Sequence, residues 1–253
     1  MKRMLQFFFL LLIAGPVLAA GCLADVEIHD RASGRTLPVY ESGGHWFVAG
    51  RSGSEYQVTI RNRDRGDLLA VVSVDGVNVV TGESAASAQS GYVIERGRPL
   101  SIAGWRKSLE KIAAFYFTDL GDSYAARTGR PDNVGVIGVA LFRRKPEPLA
   151  ELLEQPRSRA QAAGSASDSA PRSAPPPAAE KKAEKKIGTG HGRSQNALAR
   201  YVEFERDSDQ PAEVIAIHYD TYANLVARGV IREERNLPSP FPGGFVADPP
   251  ERG

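Results

Sequence analysis

The sequence is short of the residues that cross-link a fold or bind a metal. It holds one cysteine, Cys22, and four histidines among 253 residues. An intrachain disulfide is therefore excluded, and the hydrophobic core must stabilise the fold without covalent cross-links. The histidines form no HxH or HExxH pattern, and no Cys/His spacing typical of zinc sites occurs. We accordingly predict that the protein uses no metal and no other cofactor.

Motifs of nucleophilic catalysis are also missing. An esterase-type G-x-S-x-G elbow does not occur, since the pairs Gly53-Ser54 and Gly164-Ser165 lack its flanking pattern. A carboxylate pair of the kind that cleaves glycosidic bonds is a spatial arrangement that a sequence does not display. We therefore expect a protein that is not an enzyme.

After its first 24 residues, the chain has no excess of positive charge. The whole sequence has 32 Lys and Arg against 30 Asp and Glu, but the two extra cations are Lys2 and Arg3. The remainder is neutral. Because nucleic-acid binding requires a basic surface that displaces counterions from phosphates, the composition argues against a nucleic-acid partner.

An apolar run is present at the amino terminus. Lys2 and Arg3 precede the apolar stretch Leu5–Ile13, and small residues follow it, which is the anatomy of a secretory signal. The run is shorter than the roughly 20 residues that a membrane-spanning helix needs. We predict that residues 1–24 contain a signal peptide cleaved between residues 19 and 24, and that the protein is exported.

The residues at the cleavage point leave two alternatives open. The sequence Ala19-Ala20-Gly21-Cys22 resembles a bacterial lipobox, in which the cysteine becomes the lipidated first residue. Under this alternative, a lipid on Cys22 anchors the protein in the outer membrane. Under the other, ordinary cleavage follows Ala19 or Ala24, and the protein is free in the periplasm.

Residues 25–144 have the pattern of an antiparallel β domain. Tyr56–Arg61 alternates apolar and polar side chains with period two, as a half-buried strand does. Asp75-Gly76 between two valines is a strong hairpin signal, because a type I′ turn needs positive φ at both positions. We predict a three-strand meander at residues 55–80. The many short strands, without a long helix, predict a mainly β fold, an antiparallel sandwich or barrel-like domain.

The composition changes after residue 144. Residues 145–187 consist mostly of Ala, Ser, Pro, Lys and Glu, which offer too little apolar surface to offset the entropy of ordering the chain. We predict a disordered linker rich in Ala, Pro, Lys and Glu between two ordered regions.

A second patterned region occupies residues 188–253. Tyr201–Arg206 and Glu213–Tyr219 alternate like the strands of a β-hairpin, and Thr221–Arg228 resembles a short helix with Asp220 as its N-cap. Two strands and one short helix cannot bury an independent core. We therefore predict a C-terminal β-hairpin plus short helix docked on the β domain, followed by an extended tail.

Several stretches resemble one protein family. They are SVDGVNV (73–79), GWRKSL (104–109), FYFTDLGDSYAARTGRPDNVGVIGVALF (115–142), GTGHGR (188–193) and YDTYANLVARGVI (219–231). Together they are similar to an uncharacterised family of exported proteobacterial proteins. The resemblance covers both ordered regions and not the linker. It implies export and this domain layout, and it implies no activity, ligand or catalytic residue.

The loop at residues 119–133 is the best candidate for a ligand site. It is long for a connection between strands, and long ordered loops often carry function. Its side chains suited to a polar ligand are Asp119, Asp122, Tyr124, Arg127, Arg130 and Asp132. The alternative is a self-packed Ω-loop whose arginines and aspartates pair with one another.

The run GTGHGR invites a second hypothesis. It could form a phosphate-binding loop or present His191 for catalysis. It lacks the Lys-Ser/Thr ending of a P-loop, however, and no predicted strand precedes it. We expect instead that its glycines let the chain enter the fold from the linker. His218, in a predicted strand, is expected to be a half-buried histidine without a special role.

These features predict an exported cell-envelope protein that acts as a non-enzymatic binding or interaction module. Its partner would be an envelope protein or a small polar ligand, and its contact with the membrane would be limited to a lipid on Cys22. The alternative function is a periplasmic hydrolase that uses carboxylates or His191. Catalysis by His191 requires an acidic or hydroxyl group within hydrogen-bond reach of the imidazole in a concave pocket.

Overall fold

The computed structural model describes residues 19–146 and 186–232. The strands of the first range are β1 (Ala19–Ala20), β2 (Ala24–Asp30), β3 (Val39–Ser42), β4 (His45–Gly50), β5 (Tyr56–Asn62), β6 (Leu68–Val74), β7 (Val77–Asn78), β8 (Tyr92–Ile94), β9 (Pro99–Ile102), β10 (Gly104–Arg106), β11 (Lys111–Asp119) and β12 (Val136–Arg143). The second range contributes β13 (Ile187–Asn196) and β14 (Glu213–Thr221). The helices are α1 (Tyr124–Arg127) and α2 (Tyr222–Ala227), with 3-10 turns at Leu120–Asp122 and Pro131–Asn133.

Three of the predicted segments lie wholly or mostly outside the described residues. They are the signal peptide up to residue 18, the linker at 147–185 and the tail from residue 233. In the two described ranges, no helix is long and apolar enough to cross a membrane.

The described chain is mainly β, as predicted, and its strands form three sheets that do not close into a barrel. The first sheet has the order β1-β2-β5-β9, and the second has the order β10-β11-β13. The third has the order β3-β4-β14-β12-β6-β7, and β8 also pairs with β6. Side chains from all three sheets meet in one main apolar core, for example Val26 of β2, Phe115 of β11 and Ile215 of β14. The sandwich prediction is thereby confirmed.

The meander predicted at residues 55–80 is correct only in its second half. Strands β6 and β7 form the expected hairpin, with Asp75 at φ 53° and Gly76 at φ 72° as a type I′ turn requires. Strand β5, however, pairs with β2 and β9 in a different sheet. Strand β6 is buried on both faces, with Val72 in the main core and Val71 in a second apolar cluster, which consists of Leu69, Val71 and Phe142. A strand buried on both faces is the physical reason for the continuous apolar run LLAVV.

The carboxyl-terminal region enters the fold more deeply than the docking prediction implies. Strand β14 lies inside the third sheet, antiparallel to β12 and parallel to β4. Strand β13 pairs with β11 in another sheet, so the two strands are not a hairpin. The first strand is also displaced: it runs over Ile187–Asn196, whereas Tyr201–Arg206 contains no strand.

The segment Tyr201–Arg206 pairs with the end of β12 only through an isolated bridge between Arg206 and Arg144. Phe204 packs against the second apolar cluster, and Arg206 lies over the ring of Phe142, with its guanidinium carbon 4.1 Å from the ring centroid. The Arg206 guanidinium also donates to the backbone carbonyls of Ser87, Ala88 and Gln89. The backbone N–H of Lys145 also donates to the Glu205 carbonyl, and that of Asp207 donates to the Arg143 carbonyl. The segment is therefore an extended strap held by these backbone hydrogen bonds and by single side chains.

The short helix near the end of the described chain is confirmed, and its N-cap is one residue later than predicted. The hydroxyl of Thr221 accepts the Asn224 N–H at 3.1 Å, which is the N-cap contact. The carboxylate of Asp220 instead accepts from the Asn224 amide at 2.8 Å and from the Thr221 N–H. Gly229 follows the helix with φ 72°, as a C-terminal glycine does.

Candidate ligand-binding cleft

Strand β13 positions the candidate site, and close packing requires its glycines. A Cβ at Gly190 would lie 2.2 Å from the ring of Tyr116, and one at Gly188 would lie 2.6 Å from Cβ of Ser123. In the structure these glycines belong to a ten-residue strand. Glycine is needed because the facing side chains occupy the space of a Cβ. The backbone conformation at these two positions is one that other residues also adopt.

A β-bulge divides this strand into two parts. Gly192 and Arg193 together face the single residue Ala114 of β11. Such an extra residue bends the strand and re-aims the side chains on either side of it. As a result, His191 contacts α1, whereas Arg193 pairs with Glu55 in another part of the surface.

Four buried polar side chains form a hydrogen-bonded chain beside the strand; we name them the buried polar cluster. Tyr56 belongs to β5, Asp75 to the turn between β6 and β7, Thr189 to β13 and Tyr219 to β14. The Tyr56 and Thr189 hydroxyls are 2.6 Å apart, and those of Thr189 and Tyr219 are 2.7 Å apart. The Tyr219 hydroxyl donates to Oδ1 of Asp75 at 2.5 Å. The cluster thus joins all three sheets.

The direction of these hydrogen bonds follows from the chemistry of Asp75. Its carboxylate also accepts the backbone N–H of Gly135 at 2.9 Å and that of Thr189 at 2.7 Å. Since a carboxylate has acceptors alone, Tyr219 donates to it, Thr189 donates to Tyr219, and Tyr56 donates to Thr189. Among the described residues, no buried side-chain nitrogen or oxygen lacks a hydrogen-bond partner.

Burial governs the titration of the cluster. Removal from water raises the pKa of Asp75, although the Tyr219 hydroxyl and the backbone N–H groups act in the opposite direction. Burial also raises the pKa values of Tyr56 and Tyr219 well above 10, the usual value for tyrosine. All four side chains are less than a tenth exposed. The cluster therefore ties the sheets together and is closed to a ligand.

A surface cleft lies next to it, between α1 and β13. The cleft has a volume of about 270 Å³ and is lined by Asp122, Tyr124, Arg127, Thr128 and His191. Four of these five residues were candidates from the sequence, in two stretches more than 60 positions apart. The fold brings the two stretches together because β11, which leads into the loop, pairs with β13.

Local packing fixes the loop side of the cleft. Ser123 is fully buried; its hydroxyl donates to the carbonyl of Leu120 and accepts the N–H of Ala126, which caps α1. The ring of Tyr124 lies 5.0 Å from that of the buried Trp105. The loop is therefore anchored in the core at its centre, as a ligand-binding loop on a rigid scaffold should be.

His191 forms the strand side of the cleft. Its imidazole stacks on Tyr124, with 5.5 Å between the ring centroids and 30° between the planes. Partial burial lowers the pKa of His191 below 6.5, and the positive charges of Lys107 and Arg127 lower it further. The imidazole is therefore neutral at pH 7 and offers one donor and one acceptor.

The cleft also holds charged groups that the protein does not neutralise. The exposed side chains of Arg127 and Asp122 line the cleft and form no ion pair with any residue in the described ranges. Lys107 is not part of the lining, but its charge acts on His191, and it forms no ion pair in these ranges either. Because these groups stay exposed to water, folding does not desolvate them. They can bind a ligand by charge-assisted hydrogen bonds.

The remaining candidates of the loop lie elsewhere. Arg130 donates to the Thr128 hydroxyl and to the carbonyl of Gly82, so it stabilises the loop. Asp119 ends β11 opposite Ile187, and Asp132 is exposed in the second 3-10 turn. The self-packed alternative therefore describes Arg130, although its partners are a hydroxyl and a carbonyl rather than an aspartate.

The hydrolase alternative depends on the partners of His191. No hydrogen bond joins the imidazole of His191 to an acidic or hydroxyl side chain in the described part of the chain. The described residues also contain no group of three or more His, Cys, Asp or Glu side chains that could hold a metal ion. His218 lies apart from the cleft, edge-on to His45 with 5.5 Å between ring centroids, and its pKa is lowered by burial.

Sequence reasoning missed Lys107, Thr128 and the whole buried polar cluster. Lys107 follows β10, and its proximity to His191 depends on a sheet whose strands are far apart in sequence. The sequence analysis drew attention to Asp75 of the cluster, but it explained this residue by the chemistry of the Asp75-Gly76 turn alone. Its second role, as acceptor for Gly135, Thr189 and Tyr219 in three other segments, has no sequence pattern.

Comparison with known proteins adds no relative. No protein-family model matches the chain. No curated protein and no solved structure matches it either.

Proposed function

We propose that this protein is an exported cell-envelope protein that binds a small polar ligand, without catalysis, in the cleft between α1 and β13. The observation that carries the proposal is the convergence of Arg127, Asp122 and His191 in one cleft. Their hydrogen-bonding capacity is not used by other described side chains, although the loop and strand that hold them are anchored in the core. Concave sites with a few convergent polar groups on a rigid frame are typical ligand sites.

The polar groups define the class of ligand. Arg127 offers a guanidinium for a carboxylate, Asp122 offers acceptors for hydroxyl groups, and the neutral His191 offers one of each. A small molecule that carries both hydroxyl groups and a carboxylate satisfies all three, and a sugar acid is the simplest example. A volume of about 270 Å³ accommodates one such ring.

Titration with glucuronate tests this proposal. We expect the NMR signals of the His191 imidazole to shift on addition of glucuronate, and to shift less with glucose, which lacks the carboxylate. Arg127→Gln should weaken glucuronate binding about tenfold or more, because one charge-assisted pair is lost. Arg65→Gln, which removes an exposed arginine from a distant loop, is the control. Unchanged His191 signals at saturating glucuronate would contradict the proposed ligand class.

Export is the second part of the proposal, and the amino-terminal end of the fold bears on it. The carboxylate of Glu213 in β14 accepts the N–H groups of Cys22 at 2.6 Å and Leu23 at 2.7 Å. Leu23 and Ala24 are buried, with 5% and 0% of their surface exposed. Cleavage after Ala24 would remove these contacts, so we infer that the mature chain begins at Cys22 or before it.

Mass spectrometry of the protein extracted from the envelope measures this end directly. We expect a first residue no later than Cys22, and acyl groups on that cysteine if the lipobox is used. A mature chain that begins at Asp25 would contradict the inference. Glu213→Gln is expected to lower stability and to leave the cleavage position unchanged.

A further inference from the structure

A second depression lies on the far side of the β13 bulge from the cleft. It has a volume of about 670 Å³, and its polar lining comes from the loops after β2 and β4 and from β13. Arg31, Arg51 and Arg193 all line it, around the single carboxylate of Glu55. We name it the arginine depression.

Glu55 organises two of the three arginines. Its carboxylate accepts from Arg193 Nε at 2.8 Å and from a terminal nitrogen of Arg31 at 3.1 Å, and the amide of Gln195 donates at 3.3 Å. The Arg193 hydrogen bond is the main reason that the pKa of Glu55 is lowered. The carboxylate is therefore ionised at neutral pH and holds both guanidinium groups in place.

Arg51 is the arginine that remains open. Its Nε donates to the Ser54 hydroxyl at 3.0 Å, and its two terminal nitrogens donate to no residue in the described ranges. The turn that carries it is rigid, since the Ser54 N–H donates to the Arg51 carbonyl and the Gly53 N–H donates to the carbonyl of Phe117 in β11. The open face of this guanidinium is thus held toward the depression.

The charges do not cancel. Three guanidinium groups line the depression together with Glu55. A further acid that acts on Arg51 is Asp30, whose pKa is lowered chiefly by its hydrogen bond with Ser33 and, to a smaller extent, by Arg51. One positive charge is left in excess. Arginine rather than lysine at each position favours planar, bidentate recognition of tetrahedral oxyanions.

We propose that the arginine depression binds a phosphoryl group. Arg51 supplies the open bidentate contact, and Arg31 and Arg193, already fixed by Glu55, supply the positive field around it. The site is distinct from the cleft, because the bulge sends Arg193 away from His191. A free phosphate and a phospholipid headgroup present the same chemistry.

Calorimetric titration with inorganic phosphate at low ionic strength tests the site in the exported protein. Arg51→Gln should weaken phosphate binding about tenfold or more, and Arg51→Lys should give an intermediate loss because it keeps the charge without the fork. Arg65→Gln, the same change in a distant loop, should leave the affinity within about twofold. Arg127→Gln is made beside it to show whether the anion binds in the cleft instead. Thermal unfolding of each variant confirms that the fold is retained.

Vesicles distinguish the two sources of the phosphoryl group. Co-sedimentation with phosphatidylcholine vesicles that contain phosphatidic acid, but not with phosphatidylcholine alone, indicates a headgroup. Binding of inorganic phosphate without co-sedimentation indicates a soluble ligand. Equal losses in Arg51→Gln and Arg65→Gln would overturn the proposal, because they reveal general charge attraction. No binding of either probe would overturn it as well, and loss in Arg127→Gln alone would assign the anion to the cleft.

Discussion

The buried polar cluster and the cleft are two polar regions on the same strand with opposite characters. Thr189 in the cluster and His191 in the cleft are two positions apart in β13. In the cluster, every hydroxyl and carboxylate oxygen has a partner from another segment of the chain. In the cleft, Asp122 and Arg127 form no ion pair within the described ranges, and the imidazole of His191 is in contact with a ring rather than an acid.

The difference separates residues that hold the fold from residues that are available to a ligand. A buried polar group stabilises the fold when all of its hydrogen-bond partners are present. Removing one partner destabilises the fold by more than the net contribution of that hydrogen bond, because a desolvated group is left unpaired. An exposed polar group has water as its alternative partner, so its removal changes stability little. The two regions therefore predict opposite responses to substitution.

The largest effect is expected for Asp75→Asn. Asparagine tolerates the positive φ of this position, so the turn itself is preserved. Either orientation of its amide, however, points an NH₂ group at a donor: at the Thr189 N–H, or at the Gly135 N–H and the Tyr219 hydroxyl. We expect a loss of about 2–4 kcal/mol in the free energy of unfolding, measured by urea denaturation at pH 7. Asp122→Asn in the cleft is the control and should stay within about 0.5 kcal/mol.

The pH dependence of that loss identifies its origin. Burial raises the pKa of Asp75 above its ordinary value of 3.8, so between the two values the folded protein binds more protons than the unfolded chain. The stabilisation from Asp75 is complete below pH 3.8 and declines as the pH rises through the raised pKa. The destabilisation caused by Asp75→Asn should thus decrease with rising pH. The decrease is about 1.4 kcal/mol for each tenfold difference in the acid dissociation constant of Asp75 between the unfolded and the folded state. A cost that increases over the same range would show that the three donors outweigh burial.

Local sequence patterns predicted the elements whose causes are local. The Asp75-Gly76 hairpin, the strand at Glu213–Thr221 and the short helix after it depend on turn chemistry, alternation and capping, each of which a few neighbouring residues determine. The mainly β fold follows from the number of such short elements. The loop with Tyr124 and Arg127 was found because its length and composition are local as well.

Pairing partners were not predictable in this way. Strand β5 leaves the expected meander for another sheet, and β14 is inserted between β4 and β12, although nothing near these strands encodes their neighbours. The GTGHGR stretch was not recognised as a strand, because its glycines carry no alternating side chains. Glycine is required there because Tyr116 and Ser123, which are distant in the sequence, occupy the space of a Cβ.

The candidate site shows the same division. Asp122, Tyr124 and Arg127 were named together from one loop, and His191 was named separately from another stretch, but their union in one cleft is a property of the pairing of β11 with β13. Alternation at Tyr201–Arg206 misled for a related reason. Phe204 packs against a neighbouring surface whereas Val202 is exposed, so the pattern resembles a strand although the segment forms only an isolated bridge.

The smallest effect on stability is expected for His191→Ala, and Thr189→Val is its matched partner two residues away. The exposed imidazole loses one ring contact with Tyr124, so the free energy of unfolding should change by no more than about 0.5 kcal/mol. Valine at position 189 keeps the shape of threonine but removes the hydroxyl between Tyr56 and Tyr219, which should cost about 1–3 kcal/mol. Urea denaturation of the two variants under one condition measures the contrast. Comparable losses would mean that His191 is a structural residue of β13, and the cleft would then lose the group on which its proposed role as a binding site most depends.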